Sequence, residues 1–370
     1  MKASRRILLC IMAAFLVFAF SFPALAAEKP FKLDIALMPE HEAFLVWWAK
    51  DQGWDKEEGL EFVLHYFNTG MDELEALPAK QWVIGGTGSV PALVGALRYN
   101  TYIFGIASDE SLINGIHVRP DSPVLKTKGS NPKYPDMYGT PELAKGKTFL
   151  STQSSSQHYA LYHYLKALGL TEKDIVFENM DFAQVLAAFD SGIGDFAGVL
   201  PPWMYTSLQR GNKIAYVPNN SGAVIPLDLI GEKEFCDKNP EIVVKFLRTY
   251  LRSVNMIKAE KYTSPKLIAA YLRFWTEWAG YDMAPDMAKM DMEFHPVYDI
   301  NEQLAIFDAA KGPSQMQQWE EQILEFFVSQ GRFTKEESEK LKKTSYVTDK
   351  FLKMTAESIK AKPLGGYTLP

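Results

Sequence analysis

Apolar residues in positions 31–217 follow two alternating patterns. Short alternating or continuous apolar runs are typical of strands, whereas apolar residues repeated every three or four positions are typical of helices. The runs predict strands at 31–37, 60–67, 82–84, 102–107, 147–151, 175–178, 196–200 and 214–217. The helical spacing predicts helices at 42–52, 71–77, 85–97, 154–168 and 182–189. Strands that alternate with helices indicate an α/β fold with largely parallel sheets.

The pattern from residue 239 onward is almost entirely helical, with apolar side chains on one face at 242, 246, 250 and 254. The aromatic residues between 262 and 278 are predicted to belong to the core. Segments 74–88 and 185–202 share one order: a helix, a tight turn, a strand and a Gly- or Pro-rich turn. This internal repeat predicts two lobes of the same plan.

The first 26 residues have the pattern of an export signal. Lys2, Arg5 and Arg6 precede an apolar run over 7–22, and Ala24-Leu25-Ala26 supplies the small residues of a cleavage site. We therefore predict cleavage before Ala27, and a periplasmic protein. The apolar run is short for a membrane anchor.

Charge and cysteine content narrow the class of the processed chain. Removal of residues 1–26 takes away three basic and no acidic residues, so the formal charge changes from -6 to -9. This negative charge argues against nucleic acid or an anionic membrane as partners. Only Cys236 remains of the two cysteines, so no internal disulfide can support the fold. A chain of this length is expected to bury a large core and to form two domains.

Five segments resemble the periplasmic substrate-binding proteins of ABC importers, in the branch that handles sulfonates, taurine, nitrate and thiamine precursors. They are WAKDQGWDKEEGL (48–60), GTGSVPAL (86–93), NGIHVRPDS (114–122), LAKGKT (143–148) and AAFDSGIGD (187–195), the last followed by Pro201 and Pro202. The chain departs from the family pattern at Lys80, where Gly is frequent, and at Val83, where Asp is frequent. The loop 39–42 is also unusually acidic.

The resemblance implies a two-lobed α/β periplasmic binding protein of type II, with a helical C-terminal region packed on lobe one. Lobe one would comprise 27–117 and 225–370, and lobe two 118–224, with hinge strands near 116–118 and 224–227. It further implies a small-molecule ligand between the lobes, and an ABC permease with its ATPase as partners. The permease would be the only link to the membrane, and the binding protein itself is expected to be a monomer.

Ligands of open α/β sheets bind beyond the carboxyl ends of the strands, and this rule selects the loops that we expect to line the cleft. The candidate ligand-binding residues in or beside those loops are Glu40, His41, Phe44, Thr87, Ser89, Asp109, Glu110, Ser154, Ser155, His158, Trp203 and Tyr205.

Two kinds of ligand chemistry compete in these loops. Thr87, Ser89, Ser154 and Ser155 stand at predicted helix starts, where free N–H groups favour an anion, although ordinary N-caps use the same residues. Glu40, Glu42, Asp109 and Glu110 would instead suit an ammonium group or a ring N–H, unless they are solvated loop charges. No arginine lies in these loops, which argues against a plain oxyanion. Trp203 and Tyr205 could stack on a ring. We therefore expect a small organic ligand with both donor and acceptor groups.

Catalytic chemistry has little support in the sequence. There is no nucleophile elbow and no phosphate loop, and one remaining cysteine excludes the cysteine-rich iron motif of a thiamine-pyrimidine-forming relative of this fold. His41 lies between Glu40 and Glu42, but no second metal-binding cluster is evident. We therefore predict a carrier without catalytic residues, metal or cofactor. A binding partner for a membrane sensor and a sulfonate- or nitrate-type oxyanion binder remain the alternatives.

Overall fold

The computed structural model describes residues 29–153 and 155–369, so the predicted signal segment 1–26 and the candidate Ser154 lie outside the described residues. Its ten strands are β1 (Phe31–Leu37), β2 (Leu60–Tyr66), β3 (Ile84–Gly88), β4 (Thr101–Asp109), β5 (Gly115–Val118), β6 (Thr148–Ser151), β7 (Val176–Asn179), β8 (Phe196–Val199), β9 (Lys213–Tyr216) and β10 (Pro226–Glu232).

Helices fill most of the remaining chain. Those before β10 are α1 (His41–Asp51), α2 (Trp54–Glu57), α3 (Gly70–Ala76), α4 (Ser89–Val94), α5 (Pro141–Ala144), α6 (Ser156–Ala167), α7 (Phe182–Asp190) and α8 (Trp203–Gln209). Those after β10 are α9 (Lys233–Lys238), α10 (Pro240–Ala259), α11 (Pro265–Glu277), α12 (Pro285–Phe294), α13 (Ile300–Ile306), α14 (Gln315–Ser329), α15 (Lys335–Lys342) and α16 (Lys350–Ala361). A π-helical turn, Gly95–Tyr99, extends α4. No helix in the described ranges is both long and apolar enough to cross a membrane.

The strands form two five-stranded sheets of the same plan. Their orders are β2-β1-β3-β10-β4 and β7-β6-β8-β5-β9. In each sheet the first three strands are parallel, and the fourth is antiparallel to both neighbours. In each sheet, this antiparallel strand is the first strand after the chain crosses from the other sheet. The α/β class and the helical C-terminal region are therefore as predicted.

The chain crosses between the sheets twice, over 110–114 and between β9 and β10. The predicted first boundary, 117/118, divides β5, a strand that pairs entirely within the second sheet. Backbone bonds join the two crossings, because the Glu110 N–H donates to the Ile225 carbonyl at 2.8 Å. The lobes are thus connected by two crossing segments that hold each other in place.

The glycine-rich segment 85–88 continues a strand, whereas the sequence pattern predicted a helix start. Buried carboxyl side chains press on this strand: a Cβ on Gly85 would lie 2.2 Å from Glu73 Oε1, and one on Gly86 would lie 2.8 Å from Glu42 Cγ. Glycine is therefore required at both positions, because a larger residue would collide with these side chains. The backbone stays extended through Gly88, and the helix starts at Ser89.

Aromatic side chains attach the C-terminal helices to both lobes. Phe246 of α10 contacts the rings of Phe62 and Phe104, which belong to the first sheet. Phe326 of α14 reaches lobe two, with its ring centroid 5.4 Å from that of Tyr159 and 4.8 Å from that of Tyr162. The C-terminal region therefore packs on lobe one, as expected, and also contacts lobe two.

A pair of fully buried carboxyl groups lies where α14 covers the first sheet. Asp228 stands in the middle of β10 and Glu320 in α14. Their side chains are close enough to share a hydrogen bond, and burial raises the pKa of both, that of Glu320 to about 8. A proton shared between the two carboxyl groups removes the repulsion that two buried negative charges would have.

This pair predicts a pH-dependent stability. A folded-state pKa of about 8, against an ordinary value of 4.5, means that the proton on Glu320 stabilises the fold fully below about pH 4.5. That contribution is lost as the pH rises towards 8, with a limiting slope of about 1.4 kcal/mol per pH unit. Glu320→Gln should therefore flatten the decline of the urea-unfolding free energy over this range. Glu325→Gln, at an exposed position of the same helix, is the control, and equal slopes in all three proteins would contradict the shared proton.

Candidate functional site

A cavity of about 330 Å³ lies between the lobes, with walls from three parts of the chain. Lobe one contributes the end of β3, α4 and Glu110, lobe two contributes the start of α6, and the C-terminal region contributes α14 and the turn after it. The lining residues are Thr69, Gly70, Met71, Gly88, Ser89, Val90, Pro91, Val94, Arg98, Glu110, Ser155, Ser156, Tyr159, Ile225, Ile323, Phe327, Arg332 and Phe333. The size suits a small organic molecule.

The lobe-two wall is the N-terminus of α6, a helix of twelve residues. Ser155 is its N-cap: the hydroxyl accepts a hydrogen bond from the His158 N–H at 3.2 Å and donates one to the Thr152 carbonyl at 2.7 Å. Ser156 is the first helical residue and lines the cavity. The positive end of the helix dipole therefore faces the cavity and favours an acceptor group on a ligand.

The lobe-one wall carries a serine and a carboxyl group. The Ser89 hydroxyl donates to the Pro226 carbonyl at 2.6 Å, which links α4 to β10 and occupies the Ser89 proton. Glu110 is only 8% exposed. Burial, together with the nearby Glu40, raises the pKa of Glu110 well above its ordinary value. Burial therefore favours the protonated form of Glu110, which can both donate and accept a hydrogen bond.

Two arginines reach the cavity although none lies in the predicted loops. Arg98 comes from the turn that extends α4, and its guanidinium is 3.2 Å from Glu337. Arg332 follows α14 and is exposed. The argument against an oxyanion from the lack of arginine is therefore weaker than the loops alone suggest.

Three of the predicted site residues, Ser89, Glu110 and Ser155, line the cavity. Asp109 is not part of the lining: its carboxylate accepts hydrogen bonds from the N–H and hydroxyl of Ser111, each at 2.8 Å, and from the Ile225 N–H at 3.4 Å. Asp109 therefore braces the two crossing segments.

The structure places four other candidates in packing positions outside the cavity lining. Phe44 is buried against the rings of Tyr271 and Phe274. Thr87 is buried beside Glu73. His158 bonds to Glu172 at 2.9 Å, and Trp203 packs on Phe182 with ring centroids 5.7 Å apart.

The three remaining described candidates belong to a second polar cluster, centred on the buried carboxylate of Asp291. It accepts hydrogen bonds from the hydroxyls of Tyr205 and Tyr271 and lies 3.2 Å from His295 Nδ1. Tyr205 follows a strand of lobe two, whereas Asp291 lies in α12 of the C-terminal region. The Tyr205–Asp291 hydrogen bond therefore joins the two lobes.

His41 and Glu40 complete this cluster from the end of β1. The rings of His41 and His295 stack with centroids 4.8 Å apart and an interplanar angle of 5°. His41, Asp291 and His295 bring ligand-type atoms within 4.8 Å of one another, and all three side chains are buried. Sequence reasoning found His41 but missed Asp291 and His295, whose spacing of four residues on α12 was a usable local signal.

Opposing effects set the charges in this cluster. Burial alone would lower the pKa of His295, but the charge and hydrogen bonds of Asp291 outweigh it and raise that pKa to about 9. Burial and the positive charge of His295 lower the pKa of His41 to about 3. For Glu40, burial outweighs the attraction of His295 and raises the pKa to about 7. The core of the cluster is therefore one imidazolium–carboxylate pair beside a neutral imidazole.

A protein with two lobes of this topology and a cavity between them has the architecture of a periplasmic binding protein. The sequence profile of the NMT1/THI5-like family matches residues 139–261. A Brachyspira hyodysenteriae protein named as an ABC transporter periplasmic binding protein is 24% identical over 273 residues, which are 73% of this chain and 77% of that protein.

Solved structures show the same fold. The periplasmic aliphatic sulphonate binding protein SsuA from Escherichia coli aligns with a TM-score of 0.66 at 17% identity, over 83% of this chain and 89% of that one. The periplasmic nitrate-binding protein NrtA from Synechocystis PCC 6803 aligns with a TM-score of 0.63 at 10% identity, over 91% of each chain. The predicted resemblance is thereby confirmed: the homologues of this chain are periplasmic binding proteins of ABC transporters.

The interlobe hydrogen bond gives a testable expectation. Tyr205→Phe should destabilise the closed arrangement by about 1.5–3 kcal/mol, because a hydrogen bond to a buried carboxylate is lost. Small-angle scattering should then show a larger radius of gyration than for the wild type. Tyr216→Phe is the matched control, because the Tyr216 hydroxyl bonds to Ser221 within lobe two. A radius unchanged by Tyr205→Phe would show that this hydrogen bond does not hold the lobes together.

Proposed function

We propose that this chain is the extracytoplasmic solute-binding subunit of an ABC importer and that its solute binds in the interlobe cavity. The observation that carries the proposal is the cavity wall itself. Ser89 and Glu110 from one lobe face Ser155 and Ser156 from the other across about 330 Å³. A ligand held there contacts both lobes only when they are closed, so binding stabilises the closed form.

The location and partners follow from this role. Residues 1–26 act as an export signal, and the processed chain works as a monomer in the periplasm. An ABC permease and its ATPase receive the closed, loaded form. The protein releases its solute unchanged, so no catalytic residue is assigned. The two lobes correspond to the two sheets, with 118–224 forming most of lobe two.

The lining favours an organic solute with a polar end and an apolar body. Ile323, Phe327 and Val94 supply apolar wall, the start of α6 favours an acceptor, and Glu110 favours a donor or a cation. The structurally similar proteins described above are named for binding aliphatic sulphonates and nitrate. An organic sulfonate that also carries an amine satisfies both ends of the cavity. The ligand-binding role of the predicted set is thus assigned first to Ser89, Glu110 and Ser155.

A thermal-shift screen of amines, amino acids, sulfonates and pyrimidines tests the cavity as the binding site. A compound at about 100 times its Kd should stabilise the fold by about 2.7 kcal/mol. Ser156→Phe should abolish that stabilisation, because the ring occupies the cavity. Ser122→Phe is the control, since Ser122 lines a separate cavity of about 270 Å³ on lobe two. Mass spectrometry of co-purified compounds extends the screen. If the compound stabilises Ser156→Phe as much as the wild type, its binding site is not this cavity. Turnover of the compound would contradict the carrier role.

Two isosteric substitutions distinguish the charge of the ligand. Glu110→Gln should weaken a cationic or amine-bearing ligand by about tenfold or more, since a charged hydrogen bond contributes about 1.5–3 kcal/mol. Arg332→Gln should weaken an anionic ligand by a similar factor. Isothermal titration of both variants with the best compound measures this. Loss of affinity in both variants fits a zwitterion, whereas no loss in either would remove both charges from the binding site.

A further inference from the structure

We propose that His41, Asp291 and His295 form a binding site for a divalent transition metal ion of the zinc type. Their ligand-type atoms lie within 4.8 Å of one another, and none of the three residues is more than 4% exposed. This site is separate from the solute cavity, whose lining includes none of the three, and the inference does not depend on the proposed transport function.

The hydrogen bonds of His295 determine which of its ring nitrogens can bind a metal. His295 Nδ1 lies 2.7 Å from the Asp291 backbone carbonyl, which can only accept. Nδ1 must therefore carry a hydrogen, so His295 can bind a metal only through Nε2, and the proton that makes it an imidazolium is released when the metal binds. Metal-bound histidines are held in this way, with the second nitrogen donating to a carbonyl or a carboxylate.

The same reasoning applies to His41. The Tyr271 hydroxyl has one hydrogen, and it donates that hydrogen to Asp291, so its oxygen accepts from His41 Nδ1 at 3.3 Å. The lone pair of His41 is therefore also at Nε2. Nε2 is buried and has no hydrogen-bond partner among the described residues. An unpaired buried acceptor costs about 1–3 kcal/mol, which a bound metal ion would recover.

Asp291 supplies the third ligand atom and is already oriented for it. The hydroxyls of Tyr205 and Tyr271 each donate to one carboxylate oxygen. A carboxylate has about four lone-pair sites, so an oxygen can accept a tyrosine hydrogen and still bind a metal. Asp291 lies in the last turn of α12 and His295 directly follows the helix, and their side chains are 3.2 Å apart.

Two imidazole nitrogens and one carboxylate oxygen form a donor set typical of zinc and unsuited to Mg²⁺ or Ca²⁺, which prefer oxygen alone. Tetrahedral bonds of about 2.0–2.1 Å require ligand atoms roughly 3.3 Å apart. The side chains must therefore draw together on binding, and the His295 ring must turn, because its Nδ1 faces the Asp291 carboxylate in the metal-free protein. Three protein ligands leave a fourth position for water or another ligand. Because Tyr205 comes from lobe two, the metal-bound carboxylate stays linked to the opposite lobe.

Zinc binding by the untagged processed chain tests this site directly. After treatment with a chelator, equilibrium dialysis against Zn²⁺ with elemental analysis should give one ion per chain. Co²⁺ should give the visible absorption of a tetrahedral site. His41→Asn and His295→Asn should each weaken Zn²⁺ binding by at least 100-fold. Tyr271→Phe, which removes the orienting hydroxyl, should weaken it by about 10- to 100-fold.

His65→Asn is the matched control, because His65 is partly exposed and paired with Asp34 at 2.7 Å on the far strand β2. NMR of the wild-type imidazole nitrogens does not depend on the folding of any variant, and Zn²⁺ should shift Nε2 of His41 and His295 only. Less than one ion per chain, undiminished binding in His41→Asn or His295→Asn, or a shift confined to other histidines would overturn the proposal.

Discussion

The buried carboxylate of Asp291 has to be stabilised by hydrogen-bond donors from distant parts of the chain. A carboxylate removed from water costs several kcal/mol unless it is paired and hydrogen-bonded. Here His295 supplies the opposite charge from the same helix, Tyr271 a hydroxyl from α11, and Tyr205 a hydroxyl from lobe two. Because these donors must all reach the Asp291 carboxylate, that carboxylate links the position of α12 to the contact between the lobes.

The other buried carboxyl groups follow a different rule. For Glu42, Glu73 and Glu110, burial outweighs the other effects and raises the pKa of each well above its ordinary value. The protonated form of each is therefore favoured, and the glycines of β3 give Glu42 and Glu73 room beside the sheet. A protonated Glu110 at the cavity wall can donate a hydrogen bond to an acceptor group.

The two crossing segments connect the two sheets beside the cavity. β5 and β10 are the antiparallel strands of the two sheets, and each is the first strand after the chain crosses from the other sheet. Asp109 and the Glu110–Ile225 backbone bond tie the crossings together at the base of the cavity. Phe326 of α14 and the Tyr205–Asp291 bond bring the lobes together elsewhere. A solute-binding role fits a cavity whose walls come from both lobes and from the C-terminal region.

The sequence by itself determined the element types, the repeated α/β plan and the helical C-terminal region, because hydrophobic periodicity is a local property. It also placed Ser89, Glu110 and Ser155 at the cleft, since loops at the carboxyl ends of strands meet at one edge of a sheet. Only the tertiary structure decided which polar residues stand together. Thr87 and Asp109 became internal supports, Phe44 became core, and Arg98 and Arg332 reached the cavity from outside the predicted loops. His41 met Asp291 and His295 about 250 residues away because packing, which no local pattern encodes, brought α12 against the end of β1.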